Sequence, residues 1–326
     1  MASIAADREG GAGGALEPVD TVRLLSLSGD FATCTERSQG PARRLGNMFE
    51  TRRTTAPLGA HGLSFLIEVE RARGSGHALF DCGLRGDVLT ANVQYLGVSL
   101  RGAEAILLSH GHPDHFGGLV AAARLIGRAG VPLVMHRAAL RHRCWTWKDH
   151  VGGRYRLDTD RLRESRVMPQ LTAGPVRVLG GRALLLTDIP RRVRYEAKRP
   201  GGQVLFRERG RWLVDTTPDD GALVVHLAGK GLVILTGCGH AGLINTVREA
   251  IRQTGVGRVH ALGGGFHLCG ASPARIAATI RDLRGLAPRW IFPSHCSGLE
   301  FEAALQQAFP RGFILDSVGT EYCWTS

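Results

Sequence analysis

Alternating and unbroken apolar runs divide the first half of this chain into strands and helices. Strands are predicted over residues 21–28 (TVRLLSLS), 61–69 (HGLSFLIEV) and 77–83 (HALFDCG). Residues 104–109 (EAILLS) form a short unbroken apolar run, which is typical of a strand buried on both faces. The periodicity of residues 116–130 then predicts a helix that ends at Gly130.

The second half of the sequence repeats this plan. A hairpin is predicted over residues 222–227 and 231–237, a helix over 243–255, a strand over 258–264 and a last strand over 289–295. Ile244, Val247 and Ile251 give the helix an apolar stripe, and Ser272 followed by Pro273 predicts the start of another helix. The chain is therefore expected to contain two similar halves of the α/β class.

Composition suggests how these halves are organised. Residues 1–20 are rich in Gly and Ala and predict a disordered tail, and residues 21–326 are expected to form one domain. Residues 34–60 predict a long loop. Residues 137–200 are expected to form an inserted subregion, with a strand near 182–187. No segment has the roughly 18–20 consecutive apolar residues of a membrane span, and no signal peptide is recognisable, which favours a soluble cytoplasmic protein.

The cysteines and the charge narrow the redox state of the protein and the kind of partner it is expected to bind. Seven cysteines without CxxC pairs favour reduced thiols over a disulfide framework. The net charge of +12 is compatible with a nucleic acid, a phosphorylated substrate or simply a solvated basic surface, and a small anionic or phosphorylated substrate is the expected partner. Nucleic acid is not the expected partner, because no aromatic residues alternate regularly with the arginines. The oligomeric state is left open.

Candidate chemistry begins directly after the strand at 104–109. Three histidines and an aspartate, namely His110, His112, Asp114 and His115, occupy six positions. Neutral imidazole and carboxylate are the usual ligands of zinc and similar ions. In an extended loop the first two histidines point to one side, whereas Asp114 and His115 cannot share that direction. The loop therefore predicts one or two ions, with zinc expected and manganese or iron as alternatives.

Two distant histidines are expected to complete this metal centre. His240 follows the strand at 231–237, and His295 follows the strand at 289–295. Both leave the carboxyl end of a strand, where α/β sheets present their ligands. The six predicted metal ligands are His110, His112, Asp114, His115, His240 and His295.

The H-x-H-x-D-H arrangement of residues 110–115 resembles the signature of the metallo-β-lactamase-fold hydrolases. Within that superfamily, HGLSFLIEV, GLVILTGCGHAGLINTV, GGFHL, PSHCSG and SVGT are similar to the branch of 7,8-dihydropterin-6-methyl-4-(β-D-ribofuranosyl)aminobenzene-5′-phosphate synthase-like proteins. The resemblance spans about residues 20–320. It implies an αββα sandwich with a metal site at one edge between two sheets.

The same resemblance suggests roles for residues around the ligands. Asp81, in LFDCG, would position the metal loop. Many members have an aspartate that bridges two metals after the Gly of TG, whereas this chain has Cys238, which either packs as a small thiol or binds weakly. His267 is expected to be a ligand, a proton donor or a phosphate contact. Three further candidates are Asp220 as an acidic residue of the branch, Arg191 as a grip for a substrate anion, and His61 as part of the pocket lining.

These residues together predict a metal-dependent hydrolase or transferase. Asp114 would orient the nucleophile and His267 would donate a proton to the leaving group of an ester, phosphoester or diphosphate. If the branch resemblance extends to the reaction, the substrate is a pterin diphosphate. The alternatives are a nucleic-acid-processing metallohydrolase and a non-catalytic binding protein on the same scaffold.

Overall fold

The structure is a computed structural model, and it describes residues 16–52, 54–72, 74–147, 150–197 and 202–326. Its strands are β1 Thr21–Ser28, β2 Ala42–Arg44, β3 Ser64–Arg71, β4 Gly74–Phe80, β5 Ala105–Leu108, β6 Pro132–His136, β7 Arg143–Trp147, β8 His150–Tyr155, β9 Met168–Thr172, β10 Val176–Val178, β11 Ala183–Leu186, β12 Gln203–Glu208, β13 Arg211–Val214, β14 Ala222–Leu227, β15 Gly231–Thr236, β16 Val259–Gly265, β17 Trp290–Ser294 and β18 Thr320–Thr325. Its α-helices are α1 Met48–Thr51, α2 Gly86–Leu96, α3 Pro113–Phe116, α4 Leu119–Ile126, α5 Thr159–Ser165, α6 Leu243–Thr254, α7 Pro273–Leu286 and α8 Leu299–Ala308.

The strands form three sheets within the described residues. One sheet has the order β2-β18-β1-β3-β4-β5-β6-β9, and a second has the order β10-β11-β14-β15-β16-β17. Strands β4, β5, β6 and β9 run parallel, as do β15, β16 and β17, while the remaining pairs of these two sheets are antiparallel. The third sheet, β13-β12-β7-β8, is antiparallel throughout.

The two large sheets pack face to face around a shared central core. Side chains of each sheet alternate between this core and an outer core under helices. In β3, Phe65 and Ile67 lie in the core between the sheets, and Leu66 lies in the core under the helices that include α2 and α4. In β15, Val233 and Leu235 face the central core, whereas Leu232 and Ile234 pack with α6, α7 and α8. The result is the αββα sandwich that the resemblance implied.

Most predicted elements are present, with small shifts of their ends. The strand at 21–28 and the hairpin at 222–227 and 231–236 occur as expected. Ser272 caps α7 by accepting a hydrogen bond from the backbone N–H of Arg275, and Pro273 is the first helical residue. The helix predicted over 116–130 is wrong at both ends. The structure has two helices in this region, α3 and α4, and α4 is capped by Gly127, whose φ of 77° is left-handed.

Three expectations about organisation need correction. The predicted tail is too long at its carboxyl end: Leu16 is buried, and the backbone N–H of Val19 donates to the carbonyl of His226. Residues 1–15 lie outside the described residues. The predicted loop at 34–60 contains β2 and α1.

The predicted insert over 137–200 is not one unit. Strand β9 extends the first large sheet, and β10 and β11 belong to the second. The additional sheet instead combines β7 and β8 with β12 and β13, a hairpin beyond residue 200. No helix of the described residues could cross a lipid bilayer, α7 being the longest at 14 residues.

Candidate metal centre

Three imidazoles from two loops converge at the carboxyl ends of β5 and β15. His110 Nε2 lies 3.0 Å from His112 Nδ1, and His240 Nε2 lies 3.1 Å from each of these atoms. All three side chains are buried, and burial, with the neighbouring His115 and His112, lowers the pKa of His110 well below its ordinary value. Neutral nitrogens in such a triangle match the donor set of a divalent ion bound at about 2.0–2.1 Å. The residues therefore fit a metal ion.

A second group of possible ligands adjoins the first. Asp114, His115, Cys238 and His295 each place one ligand atom within 4.8 Å of the others. His295 Nε2 lies 3.1 Å from Asp114 Oδ2, and His115 Nε2 lies 3.2 Å from Cys238 Sγ. Burial would raise the pKa of Asp114, but the charge of His115 and the hydrogen bonds from His295 and His61 hold it well below its ordinary value. A carboxylate, a thiol and two imidazoles suit the same class of ions.

Cys238 lies between the two groups. It clusters with Asp114, His115 and His295 on one side, and with His240 and His267 on the other. The ring centroids of His110 and His115, one from each group, are 4.1 Å apart. Burial raises the pKa of the Cys238 thiol well above its ordinary value, and a bound cation would act in the opposite direction by favouring the thiolate.

Asp81 orients His115, as the sequence suggested for this residue. Its Oδ2 accepts a hydrogen bond from His115 Nδ1 at 2.6 Å and from Ser109 Oγ at 2.7 Å, and its Oδ1 accepts from the backbone N–H of Ser109. With the proton held at Nδ1, the Nε2 lone pair of His115 points into the second group. Asp81 is fully buried at a left-handed φ of 57° directly after β4.

Asp30 and His61 form the outer edge of the centre. His295 Nδ1 lies 3.1 Å from Asp30 Oδ1, and His61 Nδ1 lies 2.9 Å from Asp30 Oδ2. His61 Nε2 is 3.3 Å from Asp114 Oδ2, and these hydrogen bonds to Asp114 and Asp30 raise the pKa of His61 to about 9. His61 therefore lines the centre, and Asp30, which the sequence analysis did not identify, fixes the ring of His295.

His267 lies beside the third imidazole of the first group. Its ring centroid is 4.3 Å from that of His240, and its backbone adopts a left-handed φ of 45° two residues after the end of β16. Its Nδ1 has no hydrogen-bond partner among the described residues. The structure thus brings His267 to the centre, where it forms a possible ligand group with Cys238 and His240.

Two of the predicted residues hold the turn that carries His240. Asp220 Oδ2 accepts a hydrogen bond from the backbone N–H of Ala241 at 2.8 Å. Arg191 donates through Nη1 to the carbonyl of His240 and through Nη2 to the carbonyl of Thr216. Two guanidinium nitrogens of Arg191 therefore contact backbone carbonyls, and its role as a grip for a substrate anion stays a prediction.

A buried ion-pair network supports the loop that carries His110 and His112. Arg143, at the start of β7, donates from Nε to Asp215 Oδ2 and from Nη2 to Asp219 Oδ1, both at 2.6 Å. Its Nη1 lies 3.3 Å from the carbonyl of Gly111, and Asp219 accepts from the N–H of Gly111 at 2.8 Å. A Cβ at position 111 would lie 2.2 Å from the carbonyl oxygen of Ala139, so only glycine fits there.

Sequence reasoning missed this network because its members are far apart along the chain. Nothing local in the sequence distinguishes Arg143 from the other arginines or links it to Asp219.

The remaining six histidines join no ligand group within the described residues: His77, His136, His142, His150, His226 and His260.

Comparison with known proteins agrees with this architecture. The family model of the metallo-beta-lactamase superfamily matches residues 59–295. The 7,8-dihydropterin-6-methyl-4-(beta-D-ribofuranosyl)-aminobenzene-5′-phosphate synthase of Methanocaldococcus jannaschii is 30% identical over 269 residues, which cover 78% of this chain and 86% of that protein. An uncharacterized protein of the same organism, MJ0448, is 28% identical over 265 residues, or 79% of this chain and 91% of its own.

A solved structure supports the fold. Tm1679, described as a metal-dependent hydrolase of the beta-lactamase superfamily, superposes with a TM-score of 0.71 at 22% identity, over 94% of this chain and 100% of that one. The family match covers most of the chain and includes the loop with the four clustered ligand residues. This chain is therefore a member of the metallo-β-lactamase superfamily.

Proposed function

We propose that this protein is a metal-dependent hydrolase or group-transfer enzyme that acts on a small phosphorylated or ester substrate. The observation that carries the proposal is the triangle of His110, His112 and His240 nitrogens, 3.0–3.1 Å apart, beside Asp114, Cys238 and His295. One or two zinc ions are proposed, with manganese or iron as alternatives that the same donors accept. Bound there, such an ion would supply Lewis acidity, which polarises a phosphoryl or ester oxygen and makes water a better nucleophile.

The protein's own residues would carry the remaining steps. Asp114, whose Oδ2 lies 3.1 Å from His295 Nε2 and 3.3 Å from His61 Nε2, would orient the attacking group. His267, packed against His240, would donate a proton to the leaving group. Asp81 and Asp30 would hold His115 and His295 in the orientation that these steps need.

The substrate class is proposed from the relatives and the charge. The product named for the Methanocaldococcus jannaschii synthase contains a dihydropterin and a ribose phosphate. A net charge of +12 on this chain would attract such an anion, and a pterin diphosphate is the specific candidate. A cytoplasmic location is proposed as well, because all seven cysteines are free.

The test combines elemental analysis with an activity panel. Purified wild-type protein and a His110→Ala/His112→Ala variant are compared for bound metal and for activity on phosphodiester, ester, lactone and pterin diphosphate substrates. His260→Ala is the matched control, because His260 contacts Trp324 and belongs to no ligand group of the described residues. The proposal expects at least one equivalent of metal and activity in the wild type and the control, and loss of both in the double variant.

Two results would overturn it. Full activity of the double variant without bound metal would show that the histidines are not the catalytic centre. Less than one equivalent of metal in the wild type, with no activity on any substrate, would favour a non-catalytic binding protein on this scaffold.

A further inference from the structure

The third sheet has two faces with different surroundings. Cross-strand pairing places Arg143, Tyr155 and Phe206 on one face. Arg143 on that face is anchored to Gly111 and Asp219, and the Tyr155 ring centroid lies 5.6 Å from that of His112. This face therefore packs toward the metal centre, and the third sheet lies next to that centre.

The other face, here called the outer face, is defined by Val151, Arg154, Arg207, Trp212 and Val214. Arg207 lies opposite Trp212 on the neighbouring strand, and Arg154 lies opposite Cys144. Cys144 in turn lies opposite Leu205, and Leu205 lies opposite Val214. Residues directly opposite each other in a sheet share a face, so these side chains lie on the same side. Val151 and Val214 are 68% and 59% exposed, and Arg154 and Arg207 are exposed as well. An apolar surface of this kind beside free cations is typical of an interaction site.

Four cations of this region are not neutralised by a carboxylate of the described residues. Arg154 and Arg207 on the outer face, and Arg209 and Arg211 at the β12–β13 turn, form no ion pair with a carboxylate of the described residues. Glu208 is the one acidic residue of β12 and β13. A second copy of the chain docking through this same face would bring these like charges together, which argues against self-association.

Aromatic rings lie among these arginines although they are distant in sequence. The Trp212 ring is 5.5 Å from the ring of His142, and the Arg154 guanidinium lies 5.7 Å from the Trp212 centroid. No local pattern in the sequence indicates this grouping, because Trp212 meets Arg154 only when β7, β8, β12 and β13 pair.

We infer that the outer face binds single-stranded nucleic acid. Sheet surfaces that combine an aromatic ring with arginines hold single strands, since bases stack on the ring and phosphates meet the guanidinium groups. The exposed valines would contact bases or sugars without reading their sequence. This inference concerns a surface beside the metal centre and is independent of the reaction proposed above.

Binding is tested by fluorescence anisotropy of labelled oligo(dT) and oligo(U) of about 20 nucleotides with the purified full-length protein. Three or four phosphate contacts predict a slope of log affinity against log salt of about −2 to −3, or roughly 30-fold weaker binding between 50 and 200 mM salt. Arg154→Gln/Arg207→Gln should reduce both the affinity and the slope. Trp212→Leu should weaken binding about ten-fold with little change in slope.

Opposite charges at one exposed position give a test that does not depend on folding defects. Val214→Glu should weaken binding and Val214→Lys should strengthen it. The control is Arg284→Gln/Arg311→Gln, which removes two exposed arginines elsewhere and should leave the affinity within two-fold of wild type, as an approximate limit.

Three outcomes would overturn the inference. The first is no detectable binding at low salt, and the second is equal loss in the sheet variants and the control. The third is binding to vesicles of phosphatidylserine and phosphatidylcholine without binding to either oligonucleotide, which would identify a membrane surface instead.

Discussion

Arg143 Nη2 and Asp219 Oδ1 lie 2.6 Å apart, and neither side chain is exposed to solvent. The same arginine pairs with Asp215 and contacts the carbonyl of Gly111, between two of the proposed metal ligands. A buried charge pair is costly to form and costly to break. The third sheet is thus attached to the metal loop through one guanidinium group, whose removal should affect both stability and metal binding.

The first prediction concerns this arginine. Arg143→Met should lower the free energy of unfolding by about 3–5 kcal/mol, because it leaves Asp219 buried without its cation and leaves Asp215 paired with Arg141 alone. Metal affinity should fall about 10–100-fold in the fraction that folds, as the metal loop loses its support. Urea denaturation and competition with a fluorescent chelator measure the two effects. Arg141→Met is the control, since Arg141 also contacts Asp215 but is partly exposed and makes no contact with Gly111. Equal metal affinity in the two variants would contradict the positioning role.

The second prediction concerns the orientation of His115. Asp81→Asn preserves shape and tolerates the left-handed φ of 57°, but it replaces the carboxylate that fixes the His115 proton at Nδ1. Metal affinity should decrease about 10–100-fold with little change in the far-ultraviolet circular dichroism spectrum. Asp87→Asn, at an exposed position of α2, should bind metal like the wild type. An unchanged affinity in Asp81→Asn would show that His115 needs no such partner.

The third prediction separates two possible roles of Cys238. If its sulfur binds metal, cobalt-loaded protein shows a near-ultraviolet thiolate-to-cobalt band that Cys238→Ser abolishes. Cys296→Ser is the matched control, because Cys296 Sγ lies near the carbonyl of Cys238 but belongs to no ligand group of the described residues. We expect the band to persist in the control. Its persistence in Cys238→Ser would assign Cys238 a packing role only.

The fourth prediction is a pH dependence of stability that originates away from the metal centre. Burial raises the pKa of Asp316 to about 6, although Tyr322 and Ser26 donate hydrogen bonds to it. Because the folded state holds this proton more tightly than the unfolded state, stability is greatest below about pH 4 for this group. It is then lost as pH rises to about 6. The loss corresponds to roughly 3 kcal/mol, at 1.36 kcal/mol per pKa unit.

Asp316→Asn should remove this part of the pH dependence. Urea denaturation of chelator-treated protein, at intervals from pH 4 to pH 7, should show the variant gaining stability relative to the wild type as pH increases. A constant difference across this range would mean that Asp316 titrates at its ordinary pKa.

Local sequence patterns were sufficient for the parts of the structure that depend on neighbouring residues. The four buried residues of β5 predicted a central strand, and the dense cluster after it located the metal loop. Apolar runs in β1 and in the β14–β15 hairpin identified strands, and the structure shows that their side chains alternate between two cores. His240 and His295 could be assigned to the centre because each follows an apolar strand, and strand ends meet at one edge.

Residues that depend on long-range pairing could not be identified in this way. Arg143 meets Asp219 across 76 positions, and Asp30 meets His295 across 265. The third sheet was missed because β7 pairs with β12, about 60 residues later, and because Gly152 and Gly153 interrupt the apolar pattern of β8. Only the register of paired strands shows which of these side chains share a face.

The proposed function requires that His110, His112 and His240 bind one cation. Diffraction from crystals of metal-loaded protein, recorded at the absorption edge of the metal, tests it directly. The account predicts an anomalous peak bonded to these three imidazole nitrogens at about 2.0–2.2 Å. A peak elsewhere in the molecule, or none in protein shown by elemental analysis to contain metal, would contradict it.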